Sequence, residues 1–316
     1  MSRSRRIAAT GALASLLVLA ACQAGTSSSP SASSNPSVAA TASVAASVAP
    51  LPAATVPSDQ LNLAGNLVIC SDIPYPPQEF FDANQQPTGS DIDIGAEIAK
   101  RLGLAMQVEN SVFDTIIAAV TGGECDIIIS AQNINADRVK QVDMIPYFEA
   151  GQSFMVPTGN PKAIKVLDDL CGKQIGAESG TTEAFYVEGS DQYQGGGLAK
   201  ECADKSQPAP ILKQYQKDSD TILALQSGAI DVYFGDTPVV VNYANTNPTQ
   251  FELSTVPPLP GIKEGISVPK DKTGLRDAVV TAFKSMIDDG TYLQILKKYS
   301  VDSGALQSSD VVPVTK

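Results

Sequence analysis

One local unit occurs twice. Thr115 to Ser130 reads TIIAAVTGGECDIIIS, and Thr221 to Asp236 reads TILALQSGAIDVYFGD, with one residue fewer at the turn. Each is an apolar helix, a glycine turn, an aspartate and a buried strand ending on a polar group. A strand that is apolar on both faces needs cover on both, which only helices packed on a largely parallel sheet supply. The flanking chain repeats the alternation. NLVIC is a short β-rich run, and DIDIGAEIAKRLG is a helix with Ile94, Ile98 and Leu102 on one face, acids at its start and Lys100, Arg101 and Gly103 at its end. The fold class expected is α/β, in two similar lobes.

In open α/β sheets ligands bind beyond the carboxyl ends of the strands. The residues there are Asp72, the polar stretch Ser130 to Arg138 (SAQNINADR), Gly180 to Thr182 and Asp236. Arg138 is the first basic residue after Lys100 and Arg101. Its planar fork of five donors matches a carboxylate bidentately. The stretch SGTTE gives a glycine and free N–H groups at a helix start, a ready anion site. Asp236 and Asp72 offer negative charge for a cation, although each would serve equally as a cap of a helix or turn. Tyr75 and Phe113 supply flat apolar walls. Such a set describes a receptor for a zwitterion, because buried charge must be paired.

The ends of the chain bear on location. Arg3, Arg5 and Arg6 precede an apolar run of 14 residues, IAATGALASLLVLA, which ends in LAAC at Cys22. That run is shorter than the roughly 20 residues a spanning helix needs and has the build of a signal segment. LAAC looks like a bacterial lipobox, so residues 1–21 are expected to be cleaved and Cys22 to carry lipid, anchoring the chain without spanning the bilayer. Residues 22–60, almost all Ser, Ala, Thr, Pro and Val, read as a disordered tether, with the fold starting near Leu61.

Loss of three arginines with the signal leaves 19 basic residues against 34 acidic ones, a net charge of −15. Nucleic acid is a poor partner for that surface. Histidine is absent, which removes imidazole bases and imidazole metal ligands. No cofactor and no metal is expected. Of the four cysteines after Cys22, Cys171 and Cys202 sit in loop-like contexts and make the best disulfide pair. Cys70 and Cys125 are expected at opposite ends of neighbouring parallel strands, buried and not bridged.

Six blocks in order carry a resemblance to a known family: SDIPYPPQEF, GSDIDIGAEIAKRLG, CDIIISAQNINADRVKQVDMIPYFEAG, DLCGKQIGAESGTTE, SGAIDVYFGDTPV and GISVPKD…DDGTYLQILKKY. The chain resembles, from about Asn66 to Val301, the solute-binding proteins of ABC transporters for polar amino acids, bacterial family 3, with the type II periplasmic-binding fold. The resemblance implies two α/β lobes joined by a two-crossing hinge near Pro157 and Pro257–Gly261. Lobe 1 would be residues 62–157 and 260–303, lobe 2 residues 158–259, and 304–316 a tail. It implies that Arg138 grips the ligand carboxylate with backbone N–H at Asn133 and Thr182. Asp236 would take the ammonium near Ala131 and Ser130, Tyr75 and Phe113 would sandwich the side chain, and Asp72 would face its far end. Gln78, Gly180 and Thr181 would lie around the pocket.

Asn135-Ala-Asp-Arg138 replaces the usual Thr-x-Glu-Arg. Gln78 stands where an aromatic is common, which would make the pocket more polar. Ala131 and Asn133 stand where hydroxyls are frequent, leaving the amino acid open. The cysteine spacing resembles members from high-GC Gram-positive bacteria. The implied function is an extracytoplasmic, lipid-anchored, monomeric receptor that hands an amino acid to an ABC permease, and not an enzyme. Two other readings stand beside it: a same-fold dehydratase acting on cyclohexadienyl acids, and the ligand-sensing subunit of a signalling receptor.

Overall fold

The computed structural model describes residues 54–190 and 196–316. The signal segment, Cys22 and nearly all of the tether lie outside them. Eleven strands and nine α-helices follow in chain order among the described residues: β1 (Asn66–Ser71), β2 (Phe80–Phe81), β3 (Pro87–Thr88), α1 (Ser90–Arg101), β4 (Ala105–Asn110), α2 (Ile116–Gly122), β5 (Ile127–Ile128), α3 (Ala136–Gln141) and β6 (Val142–Pro157). Then come β7 (Gln174–Glu178), α4 (Thr182–Glu188), α5 (Gly197–Asp204), β8 (Ile211–Tyr215), α6 (Asp218–Ser227), β9 (Val232–Asp236), α7 (Thr237–Thr246), β10 (Phe251–Leu253), β11 (Leu259–Pro269), α8 (Thr273–Asp288) and α9 (Thr291–Lys298).

The repeated unit of the sequence is a repeated unit of the structure. Helices α2 and α6 both stop at a left-handed glycine, Gly123 at φ 84° and Gly228 at φ 75°, a conformation that costs a Cβ-bearing residue energy. The aspartate that follows does the same job each time. Asp126 donates its N–H to the Val68 carbonyl and takes the Val68 N–H on its carboxylate. Asp231 makes the same two bonds to Gln174. Each aspartate thus seats its strand beside the first strand of its own half, β5 beside β1 and β9 beside β7, in parallel.

One continuous sheet results, in the order β4-β1-β5-β11-β6-β9-β7-β8, with β10 on β6 and a separate β2-β3 pair. Each half is parallel, but the halves are joined by two long antiparallel strands, β6 and β11. The expectation of a largely parallel sheet therefore holds only within the halves, because a chain that crosses between them twice must run once in each direction. Two apolar clusters pack on the first half, around Ile94, Ile127 and Phe283 and around Ile116, Val120 and Val139. Two others pack on the second, around Leu170, Ile175 and Phe234 and around Leu225, Tyr233 and Val240. The fold class is the type II periplasmic-binding one. Strand β6 passes from β11 to β9 at Gln152, and Phe154 and Val156 already belong to the second half's core. The change of partner thus precedes Pro157.

Three expectations need correction. The first concerns Cys70 and Cys125, which are bonded, with Cα atoms 5.7 Å apart. Strand β5 begins only at Ile127, so Cys125 belongs to the turn leaving α2. It shares a cluster with Ile116 and Val120 of that helix and with Cys70, so the chain brings it onto β1 from the helix-covered face of the sheet and not along the ladder. Cys171 and Cys202 are also bonded. Second, Val56 and Leu61 pack on the first cluster and the Gln60 side chain accepts the N–H of Leu275, so the fold starts before residue 61. Third, 304–316, expected as a tail separate from the lobes, packs on the first half, since Val311 is buried and Val314 pairs with Met144 of β6.

The two disulfides close loops with sequence separations of 55 and 31 residues. Peptide mapping without reductant should recover both linkages. Reduction should cost about 2–4 kcal/mol per bridge by restoring freedom to the unfolded chain, read as a lower denaturant midpoint. Finding Cys70 alkylated in the unreduced native protein would contradict the first linkage.

Candidate functional site

Strand ends from both halves converge on one cleft, lined by Asp72, Tyr75, Glu79, Phe113, Ser130, Ala131, Asn133, Arg138, Glu178, Thr181, Thr182, Glu183 and Asp236. Arg138 sits in the short helix α3, whose cap is Asn135: its side chain accepts the Arg138 N–H at 2.9 Å. An asparagine oxygen caps a helix as a threonine hydroxyl can. Arg138 is 6% exposed. It donates to the Asn133 carbonyl at 2.7 Å and, across the cleft, to the Gly180 carbonyl at 2.9 Å, and lies 5.2 Å from the centre of the Phe113 ring. Burial lowers its pKa to about 10, offset by the charges of Glu183 and Asp236, so it stays a cation.

Asp236 faces it from the other half. It holds the N-cap position of α7 but makes no side-chain cap bond. Instead Oδ2 accepts the Tyr75 hydroxyl at 3.0 Å, the Tyr75 oxygen accepts the Asp236 N–H at 3.0 Å, and Oδ1 has no partner. Tyr75 is therefore a polar link across the cleft as well as a wall. Asn133 makes a second link, donating to Thr182 Oγ1 at 2.6 Å, and Gln152 of the crossing strand donates to the same oxygen at 2.9 Å. Asp72 makes a third with Lys217, which stands just before α6, while its other oxygen takes the Phe113 N–H.

Behind Ala131 the backbone is left-handed, φ 46°, an unfavourable state for a residue with a Cβ. The Ala131 N–H is held there by the Asp91 carboxylate and the Tyr147 hydroxyl, each at 3.1 Å. Ser130 gives its hydroxyl proton to Glu79 at 2.8 Å and accepts the N–H of Asp72 at 2.9 Å.

Of the residues expected from sequence, Asp72, Tyr75, Phe113, Ser130, Ala131, Asn133, Arg138, Thr181, Thr182 and Asp236 share the cleft, and Gly180 reaches it through its carbonyl. Gln78 does not. It is 1% exposed and donates to Glu264 at 2.7 Å, because the turn from Tyr75 to Glu79 directs it toward β11, so it adds nothing to the pocket's polarity. Sequence reasoning missed Glu79, Glu178, Glu183 and Lys217. Glu178 and Glu183 flank the SGTT stretch, and their position at a strand end and in a helix first turn was the available signal. Among the described residues no group of His, Cys, Asp and Glu is arranged to hold a metal ion, and no helix is long and apolar enough to cross a membrane.

Residues 67–302 match the model of the bacterial extracellular solute-binding proteins, family 3. The chain belongs to this family. The ABC transporter arginine-binding protein 1 of Escherichia coli (strain K12) is 32% identical over 225 residues, covering 70% of this chain and 85% of that protein. A solved ancestral arginine-binding protein, bound to arginine, superposes with a TM-score of 0.66 at 33% identity over 74% of this chain and 98% of its own. An ancestral amino acid-binding protein described as a precursor of cyclohexadienyl dehydratase gives 0.62 at 28% identity, over 74% and 95%.

Carboxyls dominate the electrostatics. Burial is the main cause that raises Glu79, Glu264 and Asp236 well above the carboxylate range, Asp91 to about 6 and Asp218 to about 7. The native state thus keeps protons that the unfolded chain releases, and stability falls as pH rises. For Asp91 and Asp218 the loss runs from their unfolded value of 3.8 to about 6 and about 7. The melting temperature without ligand should be higher at about pH 5 than at about pH 8, and Asp218→Asn should flatten the slope. A melting temperature that rises with pH would contradict this.

Proposed function

We propose that the chain is the receptor subunit of an ABC importer and that its cleft takes an amino acid with a cationic side chain. The observation that carries the reading is the pair Arg138 and Asp236, a buried cation and a buried carboxylate with an unpartnered oxygen, brought to one cleft from different halves of the sheet. The fork of Arg138 holds the α-carboxylate, helped by backbone N–H at Asn133 and Thr182, and Asp236 holds the α-ammonium. Tyr75 and Phe113 flank the side chain, and Asp72 faces its end. The acidic groups Asp72, Glu79, Glu178, Glu183 and Asp236 outnumber the cations Arg138 and Lys217, so a ligand's positive charge can be balanced by release of protons that burial keeps on them. The arginine bound by the relatives named above supports the same choice.

In this reading lobe 1 is residues 56–151 and 262–316, and lobe 2 is residues 152–261. The two crossings of β6 and β11 act as the hinge. A ligand that touches both Arg138 and Asp236 stabilises the closed form, which the permease reads. Cys22 carries the lipid that holds the receptor at the outer face of the cytoplasmic membrane, and Cys22→Ser should move the protein from the membrane fraction to the medium or periplasm. An enzyme of the dehydratase type is disfavoured, because a substrate with an additional carboxylate would face the carboxylates of this cleft.

The test is a dye-based thermal shift on the purified protein, unfolded and refolded to remove carried ligand, against all common amino acids. A ligand at about 100 times its Kd adds roughly 2.7 kcal/mol, a shift of several degrees. Arginine, lysine or histidine should give it. Arg138→Ala should abolish the shift without lowering the ligand-free melting temperature by more than a few degrees, and Asp236→Asn should reduce affinity at least about tenfold. No shift with any amino acid would sink the reading.

A further inference from the structure

Gln152 stands where β6 leaves β11 for β9. Its register partners are Leu259 on one side and Asp236 on the other. The sheet is irregular at this point. Strand β11 carries a register shift between Leu259 and Ile262, and the residue before Gln152 is Gly151, where a Cβ would come within 3.0 Å of the Leu259 carbonyl oxygen. The side chain of Gln152 is buried, yet its Oε1 has no hydrogen-bond partner. A buried amide left half-satisfied is a net cost to the fold. An apolar side chain of the same length would suit a sheet crossing better.

The N–H donors of that amide go to two adjacent residues of the second half, Thr182 Oγ1 at 2.9 Å and Glu183 Oε1 at 2.8 Å. A hydroxyl has one proton and two lone pairs, and Thr182 uses all three. Its lone pairs accept Gln152 and, across the cleft, the Asn133 side chain at 2.6 Å, and its proton goes to Glu183 Oε2 at 3.2 Å. The hydroxyl therefore has one orientation. Without the Gln152 donor one lone pair is released, the hydroxyl can turn, and the Asn133 side chain loses a fixed acceptor. Asn133 matters beyond that bond, because its carbonyl accepts the Arg138 guanidinium at 2.7 Å.

The geometry points to Gln152 as a positioning residue for ligand binding: from the strand crossing it fixes the Thr182 hydroxyl, and through that hydroxyl the link to Asn133 that joins the two halves of the carboxylate site. The inference rests on the reading of Arg138, Asn133 and Thr182 as the groups that hold a ligand carboxylate. It adds to them a residue that is not part of the cleft wall. Groups held in place before the ligand arrives lose less freedom when it binds, and affinity rises accordingly. The amide thus costs the fold something and returns it in binding, which separates Gln152 from an ordinary core residue. Its position adds a second consequence: the residue at which β6 changes partner is also the one that sets a bond across the cleft.

The experiment is calorimetric titration of L-arginine into the purified full-length protein and into Gln152→Met, Thr182→Val and the double variant. Gln152→Met keeps the length of the side chain and removes the amide, and should weaken arginine by about tenfold. Thr182→Val keeps the shape and the backbone N–H and removes the hydroxyl, and should weaken arginine to a similar extent. The double variant should bind little worse than Thr182→Val alone, since both substitutions break one chain of bonds. Where Gln152→Met folds poorly, Gln152→Glu keeps the shape and replaces both N–H donors, and its loss should likewise be absorbed by Thr182→Val. Unchanged affinity in the Gln152 variant, with or without a lower melting temperature, overturns the assignment. A loss in the double variant equal to the product of the two single losses overturns it as well. A wild type that prefers an amino acid with a neutral or acidic side chain overturns the cationic choice of ligand, and the same comparison made with that amino acid still decides on Gln152. A wild type that binds no amino acid overturns both.

Discussion

The Arg138 guanidinium is carried almost wholly out of water, and much of the surrounding structure exists to make that tolerable. An isolated buried cation costs far more than a fold of this size has to spare. Two backbone carbonyls, one from each half of the sheet, and the face of Phe113 receive it. Glu183 and Asp236 supply the compensating field. The helix that presents Arg138 is only six residues long, too short to stand alone. It is held by the Asn135 cap and by Val139 packed in the core beneath. Loss of the cap would therefore misplace the charge as well as fray a helix.

The same economy governs the cleft as a whole. Three further polar links cross it, Tyr75 to Asp236, Asn133 to Thr182 and Lys217 to Asp72. Each uses atoms that a zwitterionic ligand would also want. A carboxylate arriving at Arg138 replaces a neutral carbonyl with a charged acceptor. An ammonium arriving at Asp236 gives its free oxygen a charged donor. The gain at each is the difference between a neutral and a charge-assisted bond, not the whole of either. Ligand selection therefore rests on differences, which makes the charge of the side chain decisive.

Local pattern carried much of the fold. The two copies of the helix, glycine, aspartate and strand unit were legible because every step is a short-range demand: a left-handed stop, an aspartate for two backbone groups, an apolar strand covered on both faces. The residues of the cleft that sit at strand ends followed from the same logic. What was not legible is what depends on approach from outside the ladder. Cys125 looked like a strand residue out of reach of Cys70, and only the path of the chain leaving α2 shows otherwise. The 16 residues of β6 form one strand, and nothing local marks Gln152 as the place where it changes partner. Gln78 looked like pocket because its neighbours are, yet one turn of backbone points it at Glu264.

The missed carboxylates share a cause. Glu79, Glu178 and Glu183 lie in stretches whose other members had evident roles, and an exposed surface acid is the ordinary expectation for glutamate. Burial turns that expectation round. A glutamate at 6% exposure with an unpartnered oxygen is an energetic loss to the fold, since replacing it by an apolar residue of similar size would remove the desolvation cost. Glu178 spends stability at a strand end that faces Asp72, and Lys217 across the cleft offsets only one of the two acids. The second acid is the feature the fold alone does not need, and it lies in the same cleft as the walls Tyr75 and Phe113.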